Sequence, residues 1–133
     1  MLASVKIKQA QGGDPSSILA YAIRQARAAD FDSVLVWMDT DVPWPRTLDK
    51  KASNNTPSIM LLGSVPCLEG FLLAVLGEPV LSTVRSKKKL AQLTSCSSVT
   101  QLDFIQKFPR ADLEVARKHN EVLDLLIEAV GKV

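Results

Sequence analysis

The chain has 133 residues, of which 47% are hydrophobic and 23% charged, and its net charge is +2 at pH 7. These values are ordinary for one globular domain with a single core, and the small net charge indicates no particular class of partner. The chain lacks the run of about eighteen apolar residues that a membrane-spanning helix needs, and its amino terminus lacks the layout of a signal peptide. The only two cysteines, Cys67 and Cys96, match no metal motif, so we expect a reduced, cytoplasmic protein without membrane contact.

The first part of the chain predicts a strand, a helix and a second strand. An alternation of apolar residues with lysines over residues 4–9 favours a half-buried or edge strand. Asp14 followed by Pro15 is a strong helix start, and apolar residues at helical spacing continue to residue 29. A buried strand over residues 34–38 follows. A unit of this kind predicts a right-handed crossover to a parallel neighbour.

The rest of the chain predicts mostly helices around one further strand. In chain order, the elements are a polar helix over 46–54, a strand over 57–62, a helix over 66–76 capped by Ser64, a basic helix over 84–93, a loop over 94–100, a short helix or turn over 100–108 and a long C-terminal helix over 112–130. Together they predict one α/β domain over residues 1–133, with three layers in which helices flank a short, mainly parallel sheet.

Two aspartates stand where the buried strand ends. Asp39 and Asp41 follow the apolar run 34–38, and Pro43 and Pro45 then prevent regular structure. Open α/β sheets place their ligands at the carboxyl ends of strands, and paired carboxylates there usually bind a hard cation such as Mg²⁺. The alternative is that both aspartates only build a turn, as Asp often does. The motif by itself favours neither interpretation.

A third carboxylate, Glu69, falls in the first turn of the predicted helix 66–76. If the two buried strands are neighbours, Glu69 emerges at the same sheet edge as Asp39 and Asp41. Three converging carboxylates repel one another and need a cation or a shared proton. The spacing alone slightly favours a simpler interpretation, in which Glu69 complements the helix dipole.

A basic run places four positive charges in five residues, at Arg85, Lys87, Lys88 and Lys89. Such a run either binds the phosphates of a nucleic acid or forms a solvated helix face. Because the charges are nearly consecutive, we expect them not to share one face, which favours the solvated alternative.

The two tryptophans and the single histidine have separate interpretations. Trp37 lies within the predicted strand, and we expect it in the core. Trp44, between two prolines, is expected to be partly exposed, where it stacks on a base or covers the end of the sheet. His119 falls on the apolar face of the last predicted helix, which favours a packed residue over a general base.

Three motifs together resemble the RloB family. They are Gly12-Gly13-Asp14-Pro15, the Asp-x-Asp strand over 32–41, and the segment 63–73 with its Ser-x-Pro-Cys-x-Glu sequence. The resemblance continues through the basic run and the Ala116-Arg117 region, and it covers most of the chain. It implies a Toprim-like α/β domain with Mg²⁺- or Mn²⁺-dependent hydrolysis or nucleotidyl transfer on nucleic acid, in antiphage defence or at a mobile element.

The resemblance also implies roles for particular residues. Asp39, Asp41 and Glu69 match the positions that bind metal and carry catalysis, and the basic run would bind nucleic acid. A Toprim domain has an earlier strand followed by a catalytic glutamate, but this sequence has no glutamate before Glu69. Either a segment is missing, through a shortened chain or a misassigned start codon, or the site is degenerate.

Two function classes therefore remain. The first is a metal-dependent nuclease or nucleotidyl-transfer domain. The second is a catalytically degenerate relative that acts as a subunit or inhibitor and binds a protein partner such as an ATPase. A missing strand leaves an unpaired sheet edge, so we also expect a homo-oligomer.

Overall fold

The structure is a computed structural model that describes residues 5–10, 13–96 and 106–131. The chain divides into two compact units, Lys6–Gly63 and the part from Ser64 onward; that they form one domain stays a prediction. Helices combine with a short parallel sheet, which confirms the predicted α/β class. Within the described ranges, no helix is long and apolar enough to cross a membrane.

The first unit contains the sheet. Its elements are α1 (Pro15–Ala28), β1 (Val34–Asp39), α2 (Leu48–Ser53) and β2 (Ile59–Ser64), whose last residue begins the second unit. Among the described residues, β1 and β2 form a two-stranded parallel sheet. One face of this sheet packs with both helices around six buried side chains: Leu19, Val36, Met38, Leu48, Ala52 and Ile59. The predicted bounds of these four elements are confirmed to within two residues.

Helix α1 begins at Pro15 because Asp14 caps it. The Asp14 carboxylate accepts a hydrogen bond from the backbone N–H of Ser17, at 2.7 Å. This bond lowers the pKa of Asp14 below its ordinary value. Pro15 fits the first helical position because its missing N–H would have no partner there.

The predicted strand at the amino terminus is wrong for the residues that the structure describes. Residues 5–10 have no strand structure, and the Ile7 side chain is 91% exposed; Ser4 lies outside the described residues. Alternation of apolar and charged residues makes a segment suitable for a sheet, but a strand forms only where a partner backbone completes its hydrogen bonds.

The second unit begins with two helices, α3 (Leu68–Val75) and α4 (Thr83–Thr94). Their core contains the buried residues Leu73, Leu90 and Cys96, with Phe108 packed against it. The residue before α3 is Cys67, so the predicted Ser64 cap is wrong; Ser64 is instead the buried last residue of β2.

Helix α4 is one residue longer at each end than predicted. Ser82 caps it by accepting a hydrogen bond from the Arg85 N–H, at 3.3 Å. Thr94, predicted to start a loop, is the last helical residue, and its hydroxyl donates to the Leu90 carbonyl at 2.7 Å. The rest of the predicted loop, and most of the predicted turn over 100–108, lie outside the described residues.

The long C-terminal helix predicted over 112–130 is broken into α5 (Arg110–Ala116), a 3₁₀ turn (Arg117–His119) and α6 (Glu121–Gly131). The break occurs at Asn120, which has an extended backbone and whose side chain accepts a hydrogen bond from the Leu123 N–H. Asn competes with a continuous helix because its side chain caps a new one.

Arg117 links the two sides of this break. Its guanidinium forms ion pairs with Glu114, Asp124 and Glu128 at 2.5–3.2 Å. The hydrogen bond to Asp124 contributes most to raising the pKa of Arg117 above its ordinary value. One side chain therefore connects α5 to α6.

Candidate functional site at the end of the first strand

Asp39 is the last residue of β1, and it is exposed. The strand alternates in burial, so that Val36 and Met38 are buried while Trp37 and Asp39 reach solvent. Asp41 follows two residues later and is also exposed. The structure therefore places both predicted carboxylates at the carboxyl end of a parallel strand.

The loop that carries Asp41 is packed against the end of β2. The Trp44 indole N–H donates to the carbonyl of Asp39 at 3.0 Å, and its ring packs on the core of the first unit. A methyl group built on Gly63 would lie 2.7 Å from Thr40 Cγ2 and 3.2 Å from Trp44 Cη2. A side chain at position 63 would have to displace these two groups, so Gly63 allows Thr40 and Trp44 to pack directly on the strand.

The prediction for one of the two tryptophans is wrong. Trp44 is half-buried and covers the end of the sheet, one of the two alternatives predicted for it. Trp37, predicted to be in the core, is 39% exposed. The alternation of Trp37 with Val36 and Met38 places it on the other face of the sheet, because neighbouring strand residues point to opposite faces.

Glu69 lies in the first turn of α3 and is half-buried. It belongs to the second unit, whereas Asp39 and Asp41 belong to the first, so the convergence of all three stays a prediction. No three His, Cys, Asp or Glu side chains are grouped to hold a metal ion in the part of the chain that the structure describes. The carboxylate pair is therefore the candidate site, and Glu69 is a candidate addition to it.

Cys67 precedes α3 and is completely buried. Burial is the main cause that raises the pKa of its thiol, and the nearby Glu69 raises it further. A buried, protonated thiol is a poor nucleophile. Cys67 therefore has the environment of a small packing residue.

The basic run lies on α4, whose buried side carries Ser86, Leu90 and Thr94. Arg85, Lys87 and Lys88 are exposed and Lys89 is half-buried. Their spacing places Arg85, Lys88 and Lys89 on one side of the helix, because residues three and four apart are neighbours there. Three of the four charges thus share a face, contrary to the expectation from the consecutive sequence.

His119 is exposed in the 3₁₀ turn, so the predicted packed histidine is wrong. The break at Asn120 removes it from the apolar face of a continuous helix.

Comparison with protein-family models, curated proteins and solved structures gives no match to this chain. The RloB resemblance, and the roles that it implies, therefore stay predictions.

Proposed function

We propose that this chain is a Toprim-like module that binds Mg²⁺ or Mn²⁺ through Asp39 and Asp41 and acts on the phosphodiester bonds of nucleic acid by hydrolysis or nucleotidyl transfer. The observation that supports it most is the position of this pair, exposed at the carboxyl end of a parallel strand. Ligands of open α/β sheets bind at such ends. The loop that carries Asp41 packs against Gly63 and is tied to the end of β1 by the bond from Trp44 to the Asp39 carbonyl.

The residues present fit a weakly held divalent ion. Mg²⁺ prefers oxygen ligands, keeps several water molecules and is often bound by one or two carboxylates together with substrate phosphates. Asp39 and Asp41 provide such a set, and Glu69 would add a third carboxylate. A bound divalent ion would neutralise phosphate charge and polarise the phosphoryl group.

Helix α4 would contribute affinity for the nucleic-acid backbone. Its twelve residues include four basic and no acidic side chains, and three of the basic residues share a face. Each phosphate that such side chains neutralise releases counterions, so binding should weaken as salt increases.

Calorimetric titration with Mg²⁺ and Mn²⁺ tests the carboxylate site. We expect binding to the wild type and its loss in the Asp39→Asn/Asp41→Asn variant. The matched control is Asp30→Asn/Asp32→Asn, which changes two exposed aspartates with the same spacing at the amino end of β1. Equal binding by all three proteins would refute the assignment. A Glu69→Gln variant shows whether the third carboxylate takes part.

Oligonucleotide binding measured across salt concentrations tests α4. Replacing Arg85 and Lys88 by Gln should weaken binding, and the salt slope should fall by about 1 for each phosphate that the variant no longer neutralises. The control replaces Lys50 and Lys51, an exposed adjacent pair on α2, and carries the same change in net charge. Equal effects of the two pairs would show that only net charge matters.

A catalytically degenerate module is the second candidate function. It is favoured by the finding that, among the described residues, the aspartate pair is not part of a three-ligand group. Such a module would act as a subunit or inhibitor that binds a protein partner such as an ATPase, or it would form a homo-oligomer through an edge of its short sheet. Light scattering tests the oligomer, and a monomeric mass would contradict it.

A further inference from the structure

The side of α4 that faces solvent is polar along its centre. The helix packs inside the second unit through three buried residues: Ser86, Leu90 and Thr94. Arg85, Lys88 and Gln92 stand on the opposite side, at intervals of three and four residues, and all three are exposed. This side of the helix is therefore open to a partner.

The charge on α4 is not balanced by its surroundings. No acidic residue lies between Glu78 and Asp103 in the sequence. None of the four basic side chains of α4 forms an ion pair with another described residue. The first turn of the helix also has no acidic residue, so its positive dipole end adds to these charges. The partner that complements this surface is an anion with several charges.

We propose that α4 lies in the major groove of duplex DNA, with Arg85, Lys88 and Gln92 facing the base edges. The assignment rests on the proposed function, in which α4 contacts a nucleic acid, and it narrows that nucleic acid to a B-form duplex. An α-helix is about 10–12 Å across, and the major groove is about 12 Å wide. Arg85 and Gln92 are roughly 10.5 Å apart along the helix axis, which is the length of about three base pairs.

The side chains on this surface are of the types that contact bases. Arginine donates two hydrogen bonds to O6 and N7 of guanine, and glutamine forms two with N6 and N7 of adenine. Val84 is 78% exposed in the first turn and would contact the methyl group of a thymine. Lys87 and Lys89 lie on the two flanks of the surface, where the phosphates that border a groove would meet them.

Other anionic partners fit α4 less well. Proteins hold single strands largely through aromatic side chains that stack on bases, whereas the aromatic residues described in the second unit, Phe71 and Phe108, are buried and half-buried. The major groove of duplex RNA is too deep and narrow for side chains to read. A helix that binds a membrane surface needs an apolar face toward the lipid, but the exposed side of α4 is polar at its centre.

Fluorescence anisotropy with duplex DNA, duplex RNA and single-stranded DNA of one sequence tests the choice of partner. The titrations contain EDTA, so that neither a metal ion nor cleavage contributes. We expect duplex DNA to bind most tightly, and selection from a random-sequence duplex pool to enrich a sequence that contains guanine. Equal binding of duplex RNA, or no enriched sequence, would overturn the proposal. So would equal competition by polyglutamate or by vesicles of anionic phospholipid, because charge alone would then explain binding.

The enriched duplex tests the groove and the residues. Replacing its guanines by 7-deazaguanine removes the N7 acceptor from the major groove but keeps base pairing and charge, and it should weaken binding about 5- to 150-fold. Arg85→Gln should lose the preference for guanine by a similar factor. Lys87→Gln is the matched control, because it removes the same charge from the same helix but should weaken binding to all sequences alike. Binding that is insensitive to 7-deazaguanine, or an equal loss of preference in both variants, would overturn the proposal.

Failure of this proposal can be told apart from failure of the proposed function. Calorimetry of Mg²⁺ on the wild type and the Asp39→Asn/Asp41→Asn variant measures the ion site without any nucleic acid. A protein that selects a duplex sequence but binds no divalent ion would be a DNA-binding module that lacks the proposed phosphodiester chemistry. A protein that binds the ion and binds all nucleic acids equally would keep the proposed function and lose the groove assignment.

Discussion

Replacing Gly63 by alanine should disturb the candidate site without changing any charged residue. Gly63 lies in β2 at the point where the loop after β1 packs against it. The added methyl group would meet Thr40 Cγ2 at 2.7 Å and Trp44 Cη2 at 3.2 Å. Ordinary carbon contacts need about 3.5–4.0 Å, so the Thr40 and Trp44 side chains have to move away from the strand.

The expected cost follows from two opposing effects. Overpacking of a well-packed contact typically destabilises a protein by about 1–3 kcal/mol. Replacing glycine by alanine offsets about 0.4–1 kcal/mol of this, because alanine reduces the conformational entropy of the unfolded chain. We therefore expect the free energy of unfolding to fall by about 1–2 kcal/mol. Because the loop carries Asp41, and its Trp44 donates a hydrogen bond to the carbonyl of Asp39, we expect Mg²⁺ affinity to fall as well.

Urea unfolding measures the change in the free energy of unfolding. Trp44 fluorescence, recorded in a Trp37→Phe background, reports whether the surroundings of Trp44 have changed. The control is Gly77→Ala, where a positive φ of 83° makes alanine unfavourable but no atom lies within 4 Å of the added methyl. The free energy of unfolding of this control should fall by about 1–2 kcal/mol because alanine disfavours the left-handed backbone. Trp44 emission and Mg²⁺ binding should stay unchanged. The reasoning is refuted if Gly63→Ala unfolds like the wild type, or if it leaves Trp44 emission unchanged.

Three further predictions concern other parts of the chain. In a Cys96→Ser background, Cys67 should resist iodoacetamide at neutral pH until the protein unfolds, because it is buried and the pKa of its thiol is raised; rapid labelling of the native protein would contradict its burial. The pKa of Asp14 is lower in the folded protein than in the unfolded chain. Its capping bond therefore stabilises the protein fully at a pH above the ordinary aspartate pKa of about 4, and this stabilisation is lost as the pH falls through the lower pKa of the folded state. An Asp14→Asn variant should therefore show a smaller loss of stability on acidification in urea titrations, and an unchanged loss would argue against the cap. Arg117→Gln should speed hydrogen exchange in α5 and α6 more than Lys118→Gln does, because Arg117 pairs with carboxylates on both helices; equal rates would show that these ion pairs contribute nothing.

The elements that sequence predicted well are those with strong local signals. Asp14 and Pro15 determine where α1 begins, because the cap and the proline act within one turn. The apolar runs that became β1 and β2 are short, rich in apolar residues and bounded by turn residues, so they could be predicted as strands without knowledge of their neighbours. The position of Asp39 and Asp41 after β1 followed directly from the end of that run.

Other predictions failed where the outcome depended on a distant partner or a competing local bond. Residues 5–10 have a strand pattern but no strand structure. The last helix is broken because the Asn120 side chain bonds to the Leu123 N–H and Arg117 pairs across the break. A hydrophobic period describes which side of a helix is apolar, but it does not reveal such a competing cap.

By itself, the sequence determined α1, the two buried strands and the placement of two carboxylates at a strand end, because these depend on caps, burial and chain order within a few residues. The tertiary structure alone decided that the loop after β1 packs against Gly63 and that Trp44 covers the sheet end. Both depend on contacts between β2 and the segment after β1. It also decided that Trp37 reaches solvent, because strand alternation assigns a residue to a face but does not reveal whether that face is covered: Leu62 and Met60 share a face of β2, yet Leu62 is buried and Met60 is exposed.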